Sequence, residues 1–273
     1  MTISRPFDLA TAEVTQSQWN EPRARHVMAR DDGAAIEAAE GPMIRAAVLG
    51  SLLVLAAAPV PAATFTETFD GGSNAGGWTF GTGNEVLEPS GGNPGAYLHD
   101  SFVDTFAPQP RTSQPSIFTG DLRRLGATRI GIDLITHSVD FSADGRPLTL
   151  MLISDQGTPS NFDDDWAAYL MGPANVPLAG EGWISYSFDV PSQETALPAG
   201  WATIAFGASS PPEPDWNLLI TNVAEVRFFY GDPTMFFIFQ GWNLGLDNPT
   251  IEYGLFDDGF ESGDTSAWSA TVP

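Results

Sequence analysis

The chain contains no cysteine among its 273 residues. That removes disulfide frameworks and thiolate metal sites from consideration. It says nothing against export, because a domain of roughly 200 residues buries enough surface to fold without covalent staples. Lysine is missing as well: all 11 basic residues are arginine, set against 34 acids, for a formal charge of −23. Arg5, Arg23, Arg25, Arg30 and Arg45 precede residue 64, leaving Arg111, Arg123, Arg124, Arg129, Arg146 and Arg227 for everything after it. So acidic a body repels phosphate backbones and anionic lipid, which argues against nucleic acid as a partner. What it attracts is divalent cations, and carboxylate oxygens are the ligands Ca²⁺ prefers. The same charge also serves plain solubility.

Catalytic signatures are lacking too. There is no G-x-S-x-G, no H-E-x-x-H and no Gly-rich phosphate loop. A glycosidase needs a pair of carboxylates a few ångströms apart, and a chain this rich in acids always offers some pair, so that signal decides nothing. His99 and Asp100 are adjacent, but neighbours on a strand point to opposite faces and cannot act together. The expectation is a non-catalytic protein.

Long apolar runs are scarce. Ala46–Ala58, preceded by Met43 and Arg45 and broken by Pro59 and Pro61, has the length of a signal-peptide core and is too short to span a bilayer. Residues 43–63 read as an export signal cut after Ala62 or Ala63. The preceding 1–42 carry no sustained periodicity and read as a disordered extension upstream of the true start, Met43. The mature protein is expected outside the cytoplasm, secreted or at the cell surface, with no membrane span.

From Thr64 onward, short stretches rich in β-branched and aromatic residues alternate with Gly, Pro, Asn and Asp clusters. Ile130, Ile132, Leu134 and Thr136 fall on one face of a strand, Leu148, Leu150 and Leu152 on another. In "WISYSFDV", Ile184, Tyr186, Phe188 and Val190 form the buried side. "TIAFGAS", "AEVRFFYGD" and "MFFIFQGW" read as further strands. Helix is expected only around 214–225, with Asp215 as its cap and Trp216, Leu219 and Val223 inward. Strands at this spacing, without alternating helices, predict an all-β fold over 64–253: an antiparallel β-sandwich.

The order of "FDGGSNAGGWTF", "GAYLHDSF", "SIFTGDLRRLGATRIGIDLIT", "EGWISYSFDV", "ITNVAEVRFFYG" and "GLDNPTIE" resembles laminin B (laminin IV) domains and their bacterial relatives. The resemblance implies a galactose-binding-like jelly roll of the carbohydrate-binding-module type. Relatives of this kind often hold a Ca²⁺ between first and last strands, and the matching positions are Glu67, Asp70 and Asp247. The competing reading is that Asp70 and Asp247 open turns, since "DGG" and "DNP" are turn formers.

For a ligand, the expected partner is carbohydrate or an extracellular matrix component. Trp166 and Tyr97 are the candidate stacking residues, with Asp163, Asp164 and Asp165 beside Trp166 as a sugar-hydroxyl acceptor or a second cation site. A solvated loop is the plainer reading of those acids, and core packing the plainer fate of any one aromatic. A structural or adhesive surface protein with protein partners is the alternative, and a polysaccharide hydrolase a third. The tail, residues 254–273, repeats the aromatic–acid–Trp wording of 66–78 in "DGFESGDTSAWS" and reads as a flexible appended motif.

Overall fold

The computed structural model describes residues 62–211 and 214–254. The expectations for 1–42, for most of 43–63 and for the tail lie outside those residues. Ala62, Ala63 and Gly254 are the exceptions, and all belong to paired strands.

The elements in chain order are β1 (Ala62–Thr66), β2 (Val86–Gly92), β3 (Gly95–Thr105), β4 (Arg111–Thr112), α1 (Leu122–Leu125), β5 (Ala127–Val139), β6 (Pro147–Ser154), β7 (Trp166–Asn175), β8 (Ile184–Asp189), β9 (Ala202–Ala205), α2 (Trp216–Ile220), β10 (Glu225–Tyr230) and β11 (Gln240–Gly254). They form an antiparallel jelly-roll β-sandwich. Sheet A runs β2-β3-β11-β5-β8, with β1 also paired to β11. Sheet B runs β4-β10-β6-β7-β9.

Period-two patterning builds the interlayer core. Sheet A turns Leu98, Ile130, Ile132, Leu134, Leu244, Leu246, Tyr186 and Phe188 inward; sheet B answers with Leu148, Leu150, Leu152, Ala168, Val226 and Phe228. Aromatic side chains fill the space between: Trp78 meets Phe118 edge-on at 5.2 Å, and Tyr230 meets Trp242 at 5.7 Å. Phe69 and Trp78, the first half of the sequence echo, are both core residues. Burial of each such ring contributes about 2–3 kcal/mol.

The short helix α2 forms where expected. Asp215 caps it by accepting hydrogen bonds from the backbone N–H of Asn217 at 2.8 Å and Leu218 at 3.4 Å, while Trp216, Leu219 and Val223 are buried. One expected strand starts late. "MFFIFQGW" reads as strand throughout, but pairing begins only at Gln240. Asp232 binds back to Thr234 and Met235, closing a turn just before the run. An apolar run without alternation also gives no single face to dock.

Candidate functional site

Alternation on β7 determines which side chains leave the core. Trp166 and Ala168 point between the sheets, so Asp165, Ala167 and Tyr169 point out through the far face of sheet B. Strand pairing sets them in rows: Arg227 opposite Met151 opposite Tyr169 opposite Ala202, and Glu225 opposite Ile153 opposite Ala167 opposite Ile204. Met151, Ile153, Ala167 and Tyr169 form a buried apolar floor separate from the interlayer core, bordered by Ala202, Ile204 and Phe229. Phe206 and Met171 remain accessible above it, at 40% and 46% exposure.

The polar groups sit at one margin of this floor. The Arg227 guanidinium holds Glu225 at 2.6 Å and lies over the Phe206 ring, 5.7 Å from its centroid. Arg111 approaches the other Glu225 oxygen at 3.9 Å. Glu225 is thus an ion-paired carboxylate. Asp165 is the opposite case: it is buried, and its Oδ1 has no hydrogen-bond partner. Burial pushes its carboxyl above the ordinary range, helped by the charges of Asp164, Asp155 and Glu225 and opposed by Arg227. It is the only carboxylate among the buried side-chain atoms that lack a partner in the described residues. An unmet buried acceptor costs about 1–3 kcal/mol and calls for a reason.

The local chain is built to keep Asp165 in place. Its carbonyl accepts from the Phe206 N–H at 3.0 Å and from the Ser210 hydroxyl at 2.6 Å. Asp163 accepts from the Ser209 hydroxyl at 2.5 Å and the Ala208 N–H at 3.1 Å. Gly207 makes the approach possible, because a Cβ there would lie 2.5 Å from Asp163 Cα. Of the three consecutive acids, Asp163 is exposed, Asp164 is half-buried and accepts from the Thr158 hydroxyl, and Asp165 is buried.

Of the two predicted stacking residues, neither is an open platform. Trp166 is 1% exposed and belongs to the core, because strand alternation sends it inward when Asp165 goes outward. The aromatic ring beside the acid is Phe206, the residue that follows β9. Tyr97 does lie on a solvent-facing side, the outer face of sheet A, yet it too is buried. Its ring is taken up by neighbours: Trp183 meets it edge-on at 5.2 Å and His137 at 6.1 Å. Gly245 lies beneath it, where a Cβ would come within 2.8 Å of the ring. His99 is engaged as well, through Asn243 Oδ1 at 2.8 Å.

The three acids matched to a Ca²⁺ site are distributed differently. Glu67 accepts from the backbone N–H groups of Ala75 and Gly76 at 2.8 and 2.7 Å, closing its own loop. Asp70 accepts from the Ala96 N–H at 2.9 Å. Asp247, fully buried, accepts from Asn93 at 2.6 Å and Asn248 at 2.7 Å. Asp133, not singled out by sequence, joins this turn through the side-chain amides of Asn93 at 3.0 Å and Asn248 at 2.8 Å. Burial first, then the Asp133 and Asp70 charges, push Asp247 up to about 6 against the two backbone bonds. Among the described residues no group of three or more His, Asp or Glu side chains is arranged to hold a metal ion. Each carboxylate here accepts from backbone or side-chain N–H groups of the turns it joins.

No family model and no curated protein matches the chain. Among solved structures, an exo-beta-agarase aligns at a TM-score of 0.38 and 12% identity, covering 72% of this chain and 25% of the agarase. CtCBM11, known from a solution structure with dynamics and binding studies, aligns at a TM-score of 0.35 and 11% identity, covering 74% of this chain and 93% of its own. The chain therefore spans a quarter of the agarase's length and most of CtCBM11's.

Proposed function

We propose that the outer face of sheet B binds a polysaccharide without cleaving it. The observation that carries this reading is Asp165: a buried carboxylate oxygen without a partner, beside an aromatic ring braced by an arginine. A small shift of the covering side chains opens this acceptor to a sugar hydroxyl, which donates to it, and an apolar sugar face covers Phe206 and the neighbouring floor. Arg227 supplies donors for ring and hydroxyl oxygens. With Glu225 tied into ion pairs to Arg227 and Arg111, it is poorly placed to act as nucleophile or base, which favours binding over hydrolysis. The surrounding acids disfavour sulfated or uronic-acid polymers, so the ligand class is neutral glycan. The reading includes export through the 43–63 segment, which brings the chain to extracellular polysaccharide or matrix glycan. A kinship with laminin B domains fits the same setting.

Affinity electrophoresis in gels containing soluble neutral polysaccharides tests it. We expect retardation in at least one, abolished by Asp165→Ala or Phe206→Ala with unchanged circular dichroism. No retardation by any neutral glycan, or release of reducing ends from one, overturns it.

A further inference from the structure

Three connections that cross between the sheets, 106–110, 140–146 and 231–239, lie at one end of the sandwich. Together they expose Phe106, Phe141, Met235, Phe236, Ile238 and Phe239, each more than half accessible and Phe236 completely so. Monomeric soluble proteins rarely leave contiguous apolar surface of this kind to water. Nothing in the proposed glycan reading uses it, since that face lies on the side of sheet B.

The apolar end is preformed. Arg146 is buried beneath it, donating to the Phe106 carbonyl at 3.1 Å and stacking on the Phe237 ring at 4.3 Å and the Trp242 ring at 5.3 Å. Phe106 meets Phe239 edge-on at 5.2 Å, which joins the first loop to the third. The Phe141 N–H donates to Gln240 Oε1 at 3.1 Å, and the Gly241 N–H to Asp140 at 2.8 Å, which joins the second to the third. One arginine and these cross-links hold three loops in a single surface, so docking would order little that is not already ordered.

We propose that this end is where a second copy of the chain docks, tip to tip. The area argues for it. At roughly 150–250 Å² per large side chain, the exposed portions amount to about 800 Å², the share each partner contributes to a standard stable interface. Charge argues against one competing occupant. Among the described residues the only arginine at this end is the buried Arg146, while Asp104, Asp140, Asp144 and Asp232 lie in these connections or next to them. Such a rim is repelled by anionic lipid. An isologous tip-to-tip contact closes after two copies and points the two acidic bodies away from each other. The rims still oppose, so the dimer tightens as salt screens them.

Sedimentation velocity of the full chain tests this. We expect a species at twice the 29.1 kDa chain mass at micromolar concentration. Its dissociation constant should fall several-fold on moving from low to high salt. Phe236→Asp and Ile238→Asp, both at solvent-exposed loop positions, should each weaken it at least tenfold with unchanged circular dichroism. A chain that stays monomeric at about 100 μM in high salt overturns the proposal. So does a dimer insensitive to both substitutions, or open-ended oligomers in place of a closed pair. A monomer that floats with phosphatidylcholine vesicles would instead assign the patch to lipid.

Discussion

Asp165 and Trp166 are consecutive in sequence and lie on opposite sides of sheet B: the indole is sealed in the interlayer core, and the carboxylate is buried under the outer face with one oxygen unmet. The polarity of that one peptide step puts the unmet carboxylate on the side of the sheet where the proposed glycan would sit.

Removing the unmet acceptor should help the fold and harm the binding. Asp165→Ala deletes a desolvated carboxyl and needs no partner of its own, so we expect the melting temperature to hold or rise by a few degrees, for a gain of about 1 kcal/mol. Glycan retardation should vanish in the same variant. A melting temperature that falls sharply would mean that the carboxylate supports the fold and not a ligand.

The neighbouring indole should behave in reverse. Trp166→Ala leaves a large cavity between the layers and should cost about 3–5 kcal/mol, read as a lowered midpoint in urea. Its glycan affinity, measured well below that midpoint, should stay within twofold of the parent. A loss of affinity in a still-folded sample would return Trp166 to the binding face.

Asp247 gives a pH dependence with a definite sign. Its carboxyl is pushed up to about 6 in the folded chain from the ordinary 3.8. Folding therefore favours the protonated form. That contribution is fully present below the unfolded value and lost as pH rises from about 4 through 6, a change of about 3 kcal/mol at most. Asp247→Asn removes the titration. We expect the stability difference between variant and parent to shift in the variant's favour between pH 4 and 7, by guanidinium denaturation at each pH. A difference flat across that window would show that Asp247 does not titrate there.

Chelation should leave the fold alone. Glu67, Asp70 and Asp247 each spend oxygens on backbone N–H groups, so EDTA is expected to leave the melting temperature unchanged. A drop of several degrees, reversed by Ca²⁺ and not by Mg²⁺, would place a cation among Asp70, Asp133 and Asp247.

Much of the sandwich is legible in the sequence because period two writes burial directly. Ile130–Thr136, Leu148–Leu152 and Ile184–Val190 are buried on the sides their alternation indicates. The capped turn at Asp215 is legible for a similar local reason. Which face binds is harder to read. The acid cluster at 163–165 is visible, but the aromatic beside Asp165 is Phe206, some forty positions away and reached only through β7–β9 pairing. Trp166 reads as a candidate platform beside the acids because adjacency in sequence hides the alternation of faces. Tyr97 lies on an outer face as a ligand residue would, but its ring is covered by His137 of β5 and by Trp183 just before β8. Asp133 is invisible for the same reason: only the β5–β11 register brings it to Asp247.

The long strand β11 pairs with β1, β3 and β5 in the middle of sheet A, although it is the final described element of the chain. Synthesis therefore delivers the centre of a layer after its flanks. Until Gln240–Gly254 emerges, β3 and β5 have no partner between them, and the nascent polypeptide has no route to a closed sandwich. A version stopped before Gln240 lacks the centre of sheet A and should be degraded, not recovered as a smaller domain.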